Sequence, residues 1–198
     1  MNYTNNSPPF SLDFAKISKG ELARYFKWYM SLIPERIAIL QTAVTSVSGF
    51  EDLVLDFKRE SLARLGSWFA ASCEREKLSL REREEIERSL KFSVDPSEYE
   101  YDLTIQTYSL ALDVGMYFGE TLLNEYPGLS WVQAKRKDAD FGHAVVTPVG
   151  KSVANPTKIC VVIARKNVED KRLGGRELLR IYDLLAEYIP GRSERLAT

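Results

Sequence analysis

The chain has 198 residues, of which 44% are hydrophobic and 28% are charged, and its formal net charge is −1. This composition excludes wholesale disorder, and the short apolar runs exclude a transmembrane helix. The start of the chain lacks the basic-then-apolar pattern of a secretory signal. We therefore expect a flexible tail over residues 1–12 and one cytoplasmic domain over residues 13–198.

The first predicted elements form a helical hairpin. Ser18 and Glu21 have the spacing of a capping box, which starts a helix. Pro34 is predicted to end this helix and to begin a second one near residues 34–47, which closes at Gly49. Apolar residues recur at helical spacing on both sides of Pro34: Leu22, Tyr25, Phe26, Tyr29, Ile33, Ile37, Leu40 and Val44.

Two further helices complete the N-terminal helical part, which spans residues 13–92. Residues 50–75 are predicted to be a third helical region, in which Gly66 permits close approach of a neighbour. Its apolar stripe contains Leu62, Leu65, Phe69 and Cys73. The fourth helix begins at the capping box of Ser79 and Glu82, exposes a charged run to solvent, and is broken at Asp95–Pro96.

A long central helix begins the second part of the domain, which spans residues 102–190. Ala111, Gly115 and Gly119 recur every four residues and form a smooth ridge on this helix. A glycine in a helix interior costs about 1 kcal/mol relative to alanine, so a closely packed neighbour must compensate. We expect the following hairpin or the last helix to lie across the ridge, with Trp131 covering it.

Beyond Pro127–Gly128 the pattern changes to period-2 alternation. Residues 129–136 and 140–147 are predicted to pair as an antiparallel hairpin, connected by residues 137–139. Turn residues then indicate an irregular loop, at Pro148, Gly150 and Pro156.

The C-terminal segment contains one ambiguous element and one clear helix. In residues 157–166 the β-branched side chains favour a strand, whereas Asn155 and Pro156 favour the start of a helix. Ile159, Val162 and Ile163 also fit a helical stripe, and we prefer the helix. Residues 176–189 are predicted to be an amphipathic helix with the apolar residues Leu178, Leu179, Tyr182, Leu185, Tyr188 and Ile189. The expected fold class is α+β and predominantly α: an N-terminal helical layer, a long central helix, a small antiparallel β-hairpin and a C-terminal helix.

The residue types limit the available chemistry. His143 is the only histidine, and Cys73 and Cys160 have no CxxC spacing. We expect both thiols to be buried as small hydrophobes, and we expect no metal site and no cofactor. No P-loop, nucleophile elbow or dinucleotide-binding motif occurs, so no catalytic residue is assigned. A cysteine nucleophile paired with His143 stays open on residue types alone.

The central helix also carries a narrow polar stripe. Asp113 and Glu120 lie within roughly 20° of each other around the helix, and Tyr117 lies close to both. We expect this stripe to be solvated, and a ligand-binding role requires that it line a cleft. The candidate ligand- or partner-binding residues are Asp113, Tyr117, Glu120, Trp131 and His143.

The C-terminal third of the chain is basic. Residues 1–132 hold 14 Lys/Arg and 20 Asp/Glu, whereas residues 133–198 hold 13 and 8. The basic residues could bind an anion, a nucleic acid or an acidic protein. They alternate with acids and lack interleaved aromatics, so we expect dispersed charge and no nucleic-acid partner. They include Lys135, Arg136, Lys137, Arg165, Lys166, Lys171, Arg172, Arg176 and Arg180.

The pattern Asp113-x-Gly-x-Tyr-x-Gly-Glu120, followed by Trp131, a Pro-containing loop and a closing helix with Ile181–Tyr182, resembles uncharacterised bacterial families. Some families with similar patterns are grouped with immunity proteins of bacterial toxin systems. The resemblance covers residues 102–190 and implies a cytoplasmic, non-catalytic protein that binds another protein.

We therefore expect a non-enzymatic protein-binding domain that is immunity-like, with the partner and a homo-oligomeric state left open. The alternative is a small-ligand binder or an enzyme that uses the stripe of Asp113, Tyr117 and Glu120, with His143.

Overall fold

A computed structural model gives the fold and describes residues 3–7, 9, 14, 16–89, 99–135, 140–170 and 174–189. These residues form six helices: α1 (Lys19–Thr45), α2 (Arg59–Ser72), α3 (Leu80–Ser89), α4 (Ile105–Glu125), α5 (Pro156–Glu169) and α6 (Arg176–Glu187). They also form five strands: β1 (Arg75–Lys77), β2 (Tyr101–Leu103), β3 (Ser130–Gln133), β4 (Ala144–Val149) and β5 (Ser152–Ala154). β1 pairs with β2, and β4 lies between β3 and β5, with every pairing antiparallel. The expected α+β, predominantly α fold class is confirmed.

The central helix α4 is the core of the molecule. It contacts α1, α2 and α5, and consecutive residues from Asp113 to Gly119 are all buried. Because consecutive helix positions point in all directions, α4 is covered on every side. Ile105 is 71% exposed, because it is the first residue of the helix and lies outside the core. In the part of the chain that is described, no helix is both long and apolar enough to cross a membrane.

The predicted break at Pro34 is wrong, because α1 continues through it to Thr45. A proline inside a helix removes one backbone hydrogen bond and costs about 3 kcal/mol. The apolar face keeps its helical spacing across Pro34, from Tyr29 and Ile33 to Ile37, and all three are buried. Burial of a core side chain contributes roughly 1.5–3 kcal/mol, so burial of this face outweighs the proline cost. The capping box of Ser18 and Glu21 starts the helix as predicted.

The third helical region is shorter than predicted. Residues 50–58 contain a turn and a bend but no helix, and α2 begins only at Arg59. The predicted stripe and the glycine within it behave as expected, because Leu62, Leu65 and Phe69 are buried and Gly66 lies against the backbone of Gly175 at the start of α6.

The charged fourth helix forms as predicted. Ser79 and Glu82 form the capping box of α3, and most side chains of the charged run that follows are exposed to solvent. The predicted break at Asp95–Pro96 lies outside the described residues.

The predicted hairpin forms between β3 and β4, but the irregular loop after it is wrong. A second hairpin is present instead, in which β4 continues to Val149, turns at Gly150 and pairs with β5. Pro148 is tolerated because it lies in the register shift between Val146 and Val149, where the strand needs no regular ladder hydrogen bond. Arg136 and the connection at residues 137–139 lie outside the described residues.

The ambiguous segment is a helix, α5. The side chain of Asn155 accepts a hydrogen bond from Lys158 N at 3.0 Å, and Pro156 occupies the first turn. In α6 the predicted apolar face is buried at Leu178 and Tyr182, but Tyr188 is 59% exposed because it follows the last residue of the helix.

Candidate functional site

Asp113 forms a buried ion pair at the centre of the molecule. Arg36 donates from Nε and Nη2 to the two carboxylate oxygens of Asp113, both at 2.8 Å. Tyr3 donates its hydroxyl to the same carboxylate at 2.5 Å, and Arg36 also donates to the carbonyl of Thr4 at 2.9 Å. Asp113 is fully buried, so its charge depends on these donors rather than on water.

Burial dominates the electrostatics of this cluster. Desolvation raises the pKa of Asp113, although the hydrogen bonds from Arg36 and Tyr3 oppose the shift. Desolvation also raises the pKa of Tyr3, so its hydroxyl stays protonated and donates. Nearby, Asn6 N donates to Ser109 Oγ at 2.6 Å. Residues 3–6, which the sequence places in the tail, therefore contact α1 and α4.

Tyr117 holds the segment before α2. Its hydroxyl accepts a hydrogen bond from Phe57 N at 2.9 Å and lies 2.6 Å from Ser61 Oγ. Phe57 has a positive φ of 59°, an uncommon conformation for a large side chain. The hydrogen bond from Phe57 N to Tyr117 and the packing of the two rings at 5.3 Å hold this residue in place.

Glu120 and Trp131 form a structural contact. The indole Nε1 of Trp131 donates to Glu120 Oε1 at 2.8 Å, and its ring lies directly over Gly119, where a Cβ would overlap the ring. The predicted role of Trp131 as the cover of the ridge is confirmed at Gly119. Gly115 contacts the start of α5 instead, at Pro156 and Thr157.

The expected solvated stripe is wrong, because Asp113 and Tyr117 are both fully buried. The helical spacing placed the acids on one side correctly, but α1 and α2 cover that side. Asp113, Tyr117 and Glu120 each bond to a different partner, and none of them lines the cavities described below.

The ring of His143 packs beside the ring of Phe14, at a centroid distance of 4.4 Å. Desolvation lowers the pKa of His143. Burial also raises the pKa of the Cys73 thiol to about 12 and that of Cys160 further, which disfavours a thiolate nucleophile. Both thiols are free and buried, as predicted.

A groove between α5 and α6 is the candidate functional site. Its volume is about 370 Å³. Val162 is 46% exposed, although it is apolar and lies within the groove. The lining is mainly aliphatic: Val153, Ala154, Ile159, Val162, Ile163, Ile181 and Leu185, with Asp140, Asn155, Lys158, Lys166 and Glu177. Apolar side chains that line a concave surface are typical of binding sites.

Two lysines with acidic partners flank this groove. Lys158 Nζ lies 3.0 Å from Asp140, and Lys166 Nζ lies 3.7 Å from Glu177. The lysine side chains are 59% and 48% exposed, whereas the acids are 17% and 13% exposed. The ammonium groups therefore face solvent above their more buried partners. Eight residues at 1.5 Å each place the two lysines about 12 Å apart along α5.

Two other basic residues of the C-terminal third each form an ion pair with an acid in the described part of the chain. Arg165 pairs with Asp102, and Arg180 pairs with Glu177. Lys137, Lys171 and Arg172 lie outside the described residues, as does Arg136. Within the described ranges no cluster of three His, Cys, Asp or Glu side chains could hold a metal ion.

Sequence reasoning found most of the groove's apolar residues but not the groove itself. Ile159, Val162 and Ile163 were assigned to a helical stripe, and Leu185 to the apolar face of the last helix. Nothing in the sequence signals that Val162, within that stripe, stays exposed in the folded chain. Comparisons with protein-family models, with curated proteins and with solved structures found no match to this chain.

Proposed function

We propose that this chain is a non-enzymatic protein-binding domain whose α5–α6 groove receives an amphipathic, acidic helix of a partner protein. The observation that carries the proposal is the half-exposed aliphatic floor flanked by the outward ammonium groups of Lys158 and Lys166. A helix fits this surface when two carboxylates seven or eight residues apart border its apolar face. This spacing matches the separation of about 12 Å between the two lysines along α5.

The energetic division between floor and rim follows from their exposure. Burial of Val162 and its aliphatic neighbours supplies the affinity, at roughly 25 cal/mol per Å² of apolar area. The rim lysines are exposed, so they contribute mainly orientation and association rate. A single helix buries less surface than a standard interface, so we expect a dissociation constant of about 1–100 µM.

The identity of the partner is proposed from the resemblance of the Asp113–Glu120 pattern to families grouped with immunity proteins. We propose a toxin domain as the partner and a bacterial cytoplasm as the location, which the two free, buried cysteines support. The alternative use of Asp113, Tyr117 and Glu120 as a ligand site has less support, because each side chain already bonds to a separate internal partner.

The groove is tested with a synthetic 18-residue helical peptide that has a leucine face and two glutamates seven residues apart, titrated by fluorescence anisotropy. Val162→Asp should weaken binding at least about tenfold, because it places a charge in the apolar floor. Val54→Asp is the matched control, since Val54 is 65% exposed and lies between α1 and α2. Equal effects of the two substitutions would refute the proposal that the peptide binds in the groove.

The rim is tested by reversing its charge. Lys158→Glu combined with Lys166→Glu should weaken binding of the glutamate peptide. The same double variant should strengthen binding of a peptide with lysines in place of the glutamates. Lys27→Glu on the exposed side of α1 is the control and should change neither. The toxin assignment is separate: it fails if the purified protein binds no toxin domain encoded beside its gene, even when the peptide binds.

A further inference from the structure

A second cavity, of about 330 Å³, lies between β1, β2 and α5, away from the α5–α6 groove. We call it the β1–α5 pocket. It is lined by Arg75, Tyr101, Asp102, Leu103, Arg165, Val168 and Glu169. Four of these seven residues are charged, two of each sign, so the pocket differs in chemistry from the aliphatic groove.

One ion pair in this pocket is already satisfied. Arg165 Nη2 lies 2.9 Å from Asp102 Oδ1. The hydroxyl of Tyr108 donates to both carboxylate oxygens of Asp102 at 2.8 and 3.0 Å, and Leu103 N donates to Oδ1 at 2.7 Å. Three of these contacts meet at Oδ1 of Asp102, and the carboxylate fixes the position of Arg165.

The other two charges are available to a ligand. The guanidinium of Arg75 stacks over the ring of Tyr101 at 4.7 Å, which orients its plane without using its N–H donors. Among the described residues neither Arg75 nor Glu169 has an ion-pair partner within 4.0 Å. One unpaired cation and one unpaired anion thus line the same polar cavity.

We propose that the β1–α5 pocket binds a small zwitterion that carries a carboxylate and an ammonium group, of the class of amino acids. Its carboxylate would accept two hydrogen bonds from Arg75, and its ammonium group would donate to Glu169. Leu103 and Val168 provide apolar walls for the carbon chain between these groups. An adjoining cavity of about 380 Å³ shares Arg75 and Val168 and adds Glu74, whose carboxylate would be a further acceptor for the ammonium end. The proposal is independent of the groove.

The pocket is tested by nuclear magnetic resonance titration of the full chain with glycine, 4-aminobutanoate and 6-aminohexanoate. Butanoate and butylamine are the single-charge comparisons. We expect at least one amino acid to bind about tenfold more tightly than either single-charge compound, with amide shifts confined to β1, β2 and the end of α5. No preference over the single-charge compounds, or shifts centred on the α5–α6 groove, would overturn the proposal.

Matched variants separate this pocket from non-specific charge binding. Arg75→Gln and Glu169→Gln should each weaken binding of the preferred amino acid roughly tenfold, because each removes one charge-assisted contact. Both side chains are exposed, so the substitutions leave the core intact. Arg176→Gln and Glu187→Gln on α6 remove the same charges outside the pocket and should have no effect. Equal losses in the α6 variants would contradict the assignment.

Discussion

At the scale of single residues, the ion pair between Arg36 and Asp113 is the feature with the greatest energetic consequence. Two charges have been removed from water, and their stability depends on each other and on Tyr3. Removing one partner leaves the other charge buried without compensation. Removing both leaves an apolar site that can repack.

We predict that Asp113→Asn lowers the free energy of unfolding by about 3–5 kcal/mol, because the Arg36 guanidinium loses its counter-charge. The double variant Arg36→Met with Asp113→Leu should lose less than the sum of the two single substitutions. Urea unfolding of the wild type, Arg36→Met, Asp113→Leu and the double variant, followed by circular dichroism, measures this coupling. Strictly additive losses would show that the pair contributes no interaction energy.

His143 gives a prediction for pH. Desolvation lowers its pKa below 6.5, so the unfolded chain takes up the proton before the folded protein as the pH falls. Stability should therefore decrease below about pH 6.5 until the folded imidazole also protonates. The His143→Gln variant lacks this contribution. Carboxylates titrate in both the wild type and the variant, so their effects cancel in the difference between the two. The difference in unfolding free energy between wild type and variant should change between pH 7.5 and 5.5, and a constant difference would contradict the assignment.

At the scale of elements, local sequence patterns predicted where helices begin better than they predicted which side chains are buried. The capping boxes at Ser18 and Ser79 and the Asn155–Pro156 start were visible because a cap uses residues only three apart. The helix break predicted at Pro34 was wrong, because the free-energy cost of a proline is smaller than the stabilisation from burying the whole apolar face of α1. The burial of Asp113 could not be predicted, because its partner Arg36 is 77 residues away and only the fold joins them.

The same limit applies to the candidate site. The helical stripe of Ile159, Val162 and Ile163 was visible from spacing alone. Which of these side chains stays exposed depends on the position of α6, which spacing does not specify. The second hairpin was missed because Pro148 and Gly150 are turn residues whether they lie in a loop or in a strand with an irregular register.

We predict that Gly115→Ala destabilises the contact between α4 and α5. A Cβ at this position would lie 2.9 Å from Thr157 N and Cα, which are backbone atoms that cannot rotate away. The cost should be about 1–3 kcal/mol, because the two helices must separate. Gly20→Ala is the control, since its Cβ meets nothing within 4 Å, and it should raise stability by up to about 1 kcal/mol. Urea unfolding compares the two, and a stabilising Gly115→Ala would show that the helices are not in close contact.

At the scale of the whole molecule, α4 joins α1, α2 and α5 in one core. Its buried residues contact α1, α2 and α5, and the core residues of all four helices belong to one continuous cluster. The N-terminal residues Tyr3 and Asn6 also hydrogen-bond to α4. No element among these can lose its packing without exposing part of the central helix.

We therefore predict that the chain unfolds in one transition, despite the two parts that the sequence distinguishes. Tryptophan fluorescence reports on Trp28 in α1, Trp68 in α2 and Trp131 in β3, whereas circular dichroism at about 222 nm reports on all helices. Their midpoints in urea should coincide. Gly115→Ala perturbs only the α4–α5 contact directly, yet it should lower both midpoints equally, because loss of that contact exposes the helix on which the other contacts depend. A fluorescence midpoint that stays fixed while the circular dichroism midpoint falls would instead show that the two parts unfold separately.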